Sequence, residues 1–353
     1  MQTIEEMGKP RHERPVIAIV ALNEATEVTD LMIPFGVLKR ADVADVVIVA
    51  ERTAPVSLYP FSKVGQGPEL FEIDPQASLQ TFDEQYPDGA DYVVVPALLP
   101  RDDKVVADWI NAQYHEGANV VSVCAGALTV AAAGLLDDRR ATTHWAYINE
   151  LQKAHPSTQI VRDQRYVSDR GVTTATGISA SIPTAVALVE AIAGQPKAKQ
   201  VAQDLGITHW DTRHRSSEFK LTRERRRTFL RNWISFWHHE TLGVPVDEGV
   251  DEIALALTVD AYSRTALSKA VTVGSNGDTI RSKHGLTIHP NTTQTAAVKH
   301  MLPAPNPNAP AQTIDRALEQ ITLRYGRPTA DFVALAMEYP WATETPLRKT
   351  PTV

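Results

Sequence analysis

The sequence has 353 residues and a formal net charge of −7 at pH 7, because 42 acidic residues outnumber 35 Lys and Arg. Hydrophobic residues make up 43% of it, which excludes a wholly disordered chain and fits one large or two ordinary domains. Its single cysteine excludes an internal disulfide framework and a cysteine-based structural zinc site. The acidic balance argues against a dedicated nucleic-acid binder.

Short apolar runs alternate with amphipathic segments from residue 16 onward. The apolar runs predict strands at 16–22, 45–50, 91–98, 119–123, 158–163 and 171–177, and the segments between them predict helices at 28–40, 101–117, 127–136 and 181–194. Strands made almost wholly of Val and Ile are covered on both faces. We therefore predict an α/β fold, a three-layer sandwich with a mostly parallel, flavodoxin-like sheet.

The longest apolar run in the N-terminal segment, at 16–22, has seven residues, whereas a membrane helix needs about 20. The polar residues before it do not resemble a secretory signal. We predict a cytoplasmic protein without a membrane partner, although a secreted form whose signal had been removed would have the same sequence.

The C-terminal part repeats segments of the N-terminal part. Residues 313–337 align without gaps with 181–205 at a shift of 132, and 254–275 align more weakly with 30–51 at a shift of 224. The second copy lacks the middle of the first, which contains the cysteine. We interpret 246–342 as a shortened, degenerate repeat that covers the first copy.

Between the two copies lies a basic and aromatic segment at 206–245, in which five Arg fall between 223 and 231. It predicts either a surface for nucleic acid or anionic lipid, or a connecting helix with one packed and one solvated face; the second is favoured because no DNA-reading module surrounds it. The predicted organisation is a flexible tail at 1–14, a domain at 15–205, a basic aromatic linker helix at 206–245, the degenerate repeat at 246–342 and a tail at 343–353.

Cys124 stands where an apolar strand meets a helix, in VVSVCAGALTV. Such a turn holds a side chain above the carboxyl edge of a parallel sheet, where open α/β folds bind ligands. The helix N-terminus would lower the pKa of the thiol and favour a reactive thiolate. A buried, inert cysteine is the alternative, and the pattern alone does not decide between them.

Three segments resemble the ThiJ/PfpI superfamily, which has the class I glutamine amidotransferase-like fold. They are CAG at 124–126 with AAAGLLDDRRATTHW after it, TDLMIPFGVLKRA at 29–41, and TTATGISASIPTAVALVEAIAG at 173–194. The resemblance covers about 15–205 and is closest to the amidase-like domains of AraC-type regulators and to isonitrile hydratase.

The resemblance implies roles for four side chains. Cys124 would be the nucleophile, and Asp30 would be the acidic partner that hydrogen-bonds the sulfur in its protonated form, with Glu27 as the fallback. His144 matches a histidine near the pocket, and it would either shuttle a proton or serve as a hydrogen-bonded residue at a strand end. For Asp30 the alternative is a first-turn acid that stabilises its own helix.

Two positions depart from the family pattern. Many members have Gly-Gly, whose N–H groups form an oxyanion hole, where this chain has Ala97 and two leucines. Ala125 replaces the histidine of the peptidase-like members and the threonine of the hydratase, so peptidase chemistry lacks its adjacent base.

Two hypotheses about function follow. The first is a cysteine-dependent enzyme acting on a small electrophile, by isonitrile hydration or glyoxalase-like conversion of a 2-oxoaldehyde. The second is a non-catalytic ligand- or redox-sensing regulatory protein of the same fold, without a DNA-binding domain because the C-terminal part repeats the first domain. We expect no cofactor, no bound metal and no nucleic-acid partner, and either a monomer or a homodimer. His209, Asp211 and His214 are at short spacing, but they fit a polar linker better than a metal site.

Overall fold

The computed structural model describes residues 2–62, 65–275 and 279–341. Its α-helices are α1 (Gln2–Glu5), α2 (Val28–Ala41), α3 (Leu79–Gln85), α4 (Lys104–His115), α5 (Gly126–Ala132), α6 (Ile148–Ala154), α7 (Ser181–Ala193), α8 (Gln195–Leu205), α9 (Arg223–Ile234), α10 (Glu252–Ser263), α11 (Thr313–Tyr325) and α12 (Arg327–Ala336). No helix in these ranges is long and apolar enough to cross a membrane.

The strands, again in chain order, are short except where they build the two parallel sheets. They are β1 (Val16–Val20), β2 (Thr26–Glu27), β3 (Asp45–Ala50), β4 (Val56–Tyr59), β5 (Phe61–Ser62), β6 (Gly65–Gln66), β7 (Phe71–Ile73), β8 (Ala77–Ser78), β9 (Tyr92–Val95), β10 (Asn119–Ser122), β11 (Arg140–Ala141), β12 (Gln159–Ile160), β13 (Tyr166–Asp169), β14 (Val172–Ala175), β15 (Glu240–Val246), β16 (Ser268–Gly274), β17 (Ile280–Arg281), β18 (Thr287–His289) and β19 (His300–Met301).

The central sheet has seven strands in the order β13-β14-β10-β9-β1-β3-β8. All of its pairings are parallel except β13 with β14. Alternate residues of β1 enter opposite cores: Ile17 and Ile19 pack with α2 and α7, whereas Ala18 and Val20 pack with α4 and α5. This confirms the predicted α/β sandwich with a mostly parallel sheet.

The apolar runs at 45–50 and 119–123 form central strands as predicted, but two other runs differ. The run at 91–98 leaves the sheet after Val95, because Pro96 begins the turn that leads to the site. The run at 158–163 supplies only β12, which pairs with β11 in a separate two-stranded sheet.

The N-terminal segment is not the loose tail that its polarity predicts. Met7 is buried, and the backbone N–H groups of Arg11 and His12 donate to Asp91 Oδ1. These hydrogen bonds hold the segment against the domain, because a buried carboxylate such as that of Asp91 requires hydrogen-bond donors.

The C-terminal unit, which we define as residues 240–341, has elements at the same spacings as elements of the first domain. β15 and α10 begin 224 residues after β1 and α2, and α11 begins 132 residues after α7. β15 pairs in parallel with β16, as β1 pairs with β3. The unit therefore begins with β15 inside the predicted linker 206–245, earlier than the predicted boundary at 246. The predicted tail at 343–353 lies outside the described residues.

The linker segment forms α9, but its apolar side chains do not pack as predicted. Trp233 and Phe236 are 62% and 72% exposed, and Leu230, Ile234 and Trp237 are exposed as well. The helix is held instead by buried Asn232, whose amide donates to Thr265 O and Thr329 Oγ1. The expectation of one packed apolar face was therefore wrong for most of these residues.

Candidate active site

Cys124 lies on the turn between β10 and α5 in a left-handed backbone conformation, with φ at 56°. Its N–H donates to Thr176 O at 2.9 Å, and its carbonyl accepts from Thr143 Oγ1 at 2.7 Å. A non-glycine residue held at positive φ typically costs about 1–3 kcal/mol. Neighbouring strands therefore hold the thiol where the sheet ends.

Gly126 allows this turn to pass close to the preceding strand. A Cβ at this position would lie 2.2 Å from Val95 O and 2.8 Å from Pro96 O. Both are backbone atoms that cannot rotate away.

We expect Gly126→Ala to lower the free energy of unfolding by about 3 kcal/mol, because the added methyl group must displace the backbone. Denaturant unfolding measures this change. Ala127→Gly, one position along the same helix, is the control and should cost about 1 kcal/mol through helix propensity alone. Equal losses in the two variants would contradict the close approach.

The thiol borders a cavity of about 340 Å³, although Cys124 itself is only 6% exposed. The wall of the cavity comes from the first domain, the linker segment and the C-terminal unit. Besides the cysteine it is formed by Phe61, Ala97, Ala125, His144, Trp145, Ala146, Tyr147, Ile178, Leu221, Arg226, Phe229, Leu230, Arg264, Phe332, Leu335 and Ala336. Most of these side chains are aromatic or aliphatic, so the cavity suits an apolar ligand.

Asp30 faces the sulfur, as the resemblance implies. It is fully buried in the first turn of α2 and close enough to Cys124 for each group to shift the pKa of the other. Its Oδ2 accepts from Ala97 N–H at 3.3 Å, and its Oδ1 has no hydrogen-bond partner among the described residues. Burial raises the pKa of Asp30 to about 7. A carboxyl group with this pKa keeps its proton in about half of the molecules at pH 7 and can donate it.

Three buried carboxyl groups surround one buried guanidinium. Arg264, from the C-cap of α10, donates Nη2 to Glu27 Oε1 at 2.8 Å and Nε to both oxygens of Asp260 at 2.8 Å. Asp30 is the third carboxyl group and has no such ion pair. One positive charge cannot balance three negative charges in a buried site, so the cluster retains a proton.

The hydrogen bonds locate that proton on Asp30. Burial raises the pKa of Glu27 too, but Glu27 accepts from Arg264, from Thr29 Oγ1 at 2.7 Å and from Asp30 N–H at 2.7 Å. Two of these donors, the Arg264 guanidinium and the Asp30 N–H, cannot accept a proton, which favours the ionised form of Glu27. Glu27 is therefore the N-cap of α2 and the ionised partner of Arg264.

The pKa of Cys124 moves in the direction opposite to the sequence-based expectation. Burial raises it above its usual range, and the nearby Asp30 and Glu27 carboxyls raise it further. The Ala125 N–H and Arg264 act in the lowering direction but are weaker. The helix that was expected to lower the pKa is short, and the sulfur is enclosed. The resting sulfur is therefore a thiol at neutral pH.

His144 lies at the cavity wall, but the backbone occupies both of its ring nitrogens. Nδ1 accepts from Ala146 N–H at 3.2 Å, so Nε2 carries the hydrogen and donates to Ala336 O at 3.0 Å. Burial lowers the pKa of His144, which keeps the ring neutral. Of the two roles considered for His144, this geometry favours the hydrogen-bonded structural residue over the proton shuttle.

Two backbone N–H groups act on the reacting pair. The Ala97 N–H donates to Asp30 Oδ2 at 3.3 Å, and the Ala125 N–H acts to lower the pKa of the Cys124 thiol. Ala97 departs from the family's Gly-Gly pattern, and its N–H group is directed at the Asp30 carboxyl group.

The residues considered for a metal site do not meet. His214 pairs with Glu338 at 3.0 Å, whereas Asp211 pairs with Arg213 at 2.6 Å. Within residues 2–62, 65–275 and 279–341, no group of three or more His, Cys, Asp or Glu is placed to hold a metal ion.

Sequence reasoning missed Arg264 and Asp260. They lie more than 200 residues from Asp30 in sequence, on a helix that was interpreted as structural. A signal was present, because Arg264 aligns with Arg40 in the repeat at the shift of 224.

The fold is a mostly parallel α/β sandwich, and its site has a cysteine on the strand-to-helix turn with an acid facing it. These two features together define the class of protein. Residues 16–191 match the model of the DJ-1/PfpI family. This part of the chain belongs to that family.

The chain is similar to named proteins over shorter stretches. It is 38% identical to the isonitrile hydratase of Pseudomonas putida over 104 residues, which are 30% of this chain and 44% of that protein. It is 30% identical to the HTH-type transcriptional regulator CdhR of Pseudomonas aeruginosa over 110 residues, 31% of this chain and 30% of that protein. The matches thus span less than half the length of these relatives.

Among solved structures, a ThiJ/PfpI family protein from Pseudomonas syringae matches with a TM-score of 0.46 and 24% identity, over 54% of this chain and 74% of that chain. DJ-1beta of Drosophila melanogaster matches with a TM-score of 0.47 and 20% identity, over 56% of this chain and all of that chain.

Proposed function

We propose that this protein is a cysteine-dependent hydratase of apolar isonitriles, in which Cys124 is the nucleophile and Asp30 the acid. The observation that carries the proposal is the pair itself: a buried carboxyl group with a pKa raised to about 7, beside a thiol at the wall of an apolar cavity. The similarity to an isonitrile hydratase supports the same chemistry.

The first step uses the protonated state of both groups. Asp30 donates its proton to the terminal carbon of R–N≡C, which makes that carbon electrophilic. The Cys124 sulfur then bonds to this carbon, and the thiol proton passes to the Asp30 carboxylate. The product is a thioimidate, Cys–S–CH=N–R, and Asp30 ends the step protonated. A thiol with a raised pKa suits this order, because protonation of the substrate precedes attack.

The second step releases a formamide. Water adds to the thioimidate carbon, with one of its protons moving to nitrogen through Asp30. The tetrahedral adduct then expels the sulfur, which regains a proton from the hydroxyl group. The balance is R–N≡C plus H₂O giving R–NH–CHO, with the thiol and the carboxyl group restored.

The geometry favours an isonitrile over a 2-oxoaldehyde. Conversion of a 2-oxoaldehyde develops an alkoxide, which needs free N–H donors. The N–H group of Ala97, at the position of the family's oxyanion hole, is already engaged with Asp30 Oδ2. Addition to an isonitrile forms no oxyanion in its first step, so it does not require such donors.

The second candidate is a non-catalytic sensor, and the similarity to the regulator CdhR favours it. In a ligand sensor the same cavity would bind an apolar molecule without turnover. In a redox sensor Cys124 would oxidise readily, which requires a thiolate. The raised pKa of Cys124 argues against the redox form.

The deciding experiment incubates the purified 353-residue chain with an aromatic isonitrile, an aliphatic isonitrile and a 2-oxoaldehyde. We expect formamide from both isonitriles, measured by chromatography, and no 2-hydroxy acid. Formation of 2-hydroxy acid alone would replace the proposed reaction with the glyoxalase-like one. Tight binding of the isonitriles without formamide would favour the ligand sensor.

A further inference from the structure

Two arginines that are 224 residues apart make reciprocal ion pairs between the first domain and the C-terminal unit. Arg264, at the C-cap of α10, binds Glu27, which is the N-cap of α2, at 2.8 Å. Arg40, in the last turn of α2, binds Asp251, which is the N-cap of α10. A shift of 224 converts each pair into the other, because it takes Glu27 to Asp251 and Arg40 to Arg264.

The helices that carry these pairs are capped alike and pack closely. Glu27 accepts from the N–H of Asp30, and Asp251 accepts from the N–H of Ala254, which is its counterpart at the same shift. At Gly36 on α2 a Cβ would lie 2.8 Å from Ile253 Cγ1 on α10. Reciprocal contacts of this kind are the mark of a two-fold interface between like subunits.

We infer that the C-terminal unit occupies the place of a second subunit, fused into the same chain, and that Arg264 is a positioning residue it contributes to the Cys124 site. The reciprocal site has no chemistry of its own. Ala254 stands where the first domain has Asp30, and the chain has no second cysteine. The fused unit therefore supplies one arginine to one site.

Arg264 acts on the thiol through the carboxyl groups around it. It is 7% exposed and donates to Glu27, to Asp260 and to the carbonyl of Phe61. The titratable groups that act on the thiol are Asp30 and Glu27 from the start of α2, Arg264 from the C-cap of α10, and Tyr147 from the other wall. His144 and Arg226 share the cavity wall with Cys124. Arg264 pairs with both Glu27 and Asp260, so its removal leaves these carboxyl groups without that counter-ion near the sulfur.

The test measures how fast the single cysteine reacts with iodoacetamide between pH 7 and 9, in Arg264→Met and in Arg40→Met. Arg40→Met is the matched control, because it breaks the reciprocal pair at the site that lacks a thiol. We expect alkylation of Arg264→Met to be slower than that of the parent by about tenfold or more, equivalent to about one unit in the thiol pKa. Arg40→Met should react within about twofold of the parent.

Thermal unfolding shows whether each variant is folded. If Arg264→Met does not fold, Arg264→Lys replaces it. Lysine keeps the charge but cannot hold both carboxyl groups in a planar fork. The rate of Cys124 alkylation in this variant should therefore fall between the parental rate and a tenfold slower one. Two results would overturn the inference. One is a parental alkylation rate in folded Arg264→Met, or in Arg264→Lys where that variant replaces it. The other is a slowing in Arg40→Met equal to that in the Arg264 variant. The readout is alkylation, so it remains decisive even if isonitriles are not turned over.

Discussion

Replacing Cys124 with serine should reduce isonitrile hydration by about 10³-fold or more, because a neutral hydroxyl group is a far weaker nucleophile than a thiol. The chain has no other cysteine that could take over. Steady-state formation of the formamide measures the loss.

Cys124→Ala is the matched control, since it removes the nucleophile without adding a polar group to the cavity. Both variants should bind the isonitrile and unfold near the parental temperature. Turnover by either variant within tenfold of the parent would show that the sulfur does not attack the substrate.

Asp30→Asn should lower kcat/KM by about 10²–10⁴-fold, the usual contribution of general acid catalysis. Asparagine keeps the shape of the side chain but has no acidic proton. Asp251→Asn is the control for the loss of a buried carboxyl group, because Asp251 is a buried aspartate at the other end of α10 from Arg264. It should retain near-parental turnover.

Under the proposed mechanism, the same carboxyl group sets the pH dependence of the parent protein. Asp30, with its pKa raised to about 7, is protonated and active below that value and ionised above it. We therefore expect kcat/KM to fall as the pH rises through about 7, and to lose this inflection in Asp30→Asn. A parental profile that rises across this range would mean that an ionised group is required instead.

The fold was largely predictable because burial on both faces leaves a strong trace in sequence. Runs such as DVVIVA at 45–50 have no polar side, and such strands belong to the middle of a parallel sheet. The Cys124 turn was predictable for a similar local reason, since the strand, the cysteine and the small residues that follow are contiguous.

Other parts of the site depend on contacts that the sequence pattern does not encode. His144 is held by Ala336 O, 192 residues away, and Glu27 by Arg264, 237 residues away. The direction of the Cys124 pKa shift follows from this enclosure, whereas local reasoning saw only the helix that begins beside it. On α9 the apolar spacing predicted a packed face, but the buried contacts are made by Asn232.

The central claim is that the Cys124 thiol and the Asp30 carboxyl group form one proton-sharing unit. The most direct test is the pH dependence of Cys124 alkylation, measured in the parent and in Asp30→Asn. The parent should react slowly with iodoacetamide at pH 8, because its thiol pKa is raised. Asp30→Asn should react at least about tenfold faster, because the neighbouring negative charge is gone. Identical profiles in the two proteins would contradict the account.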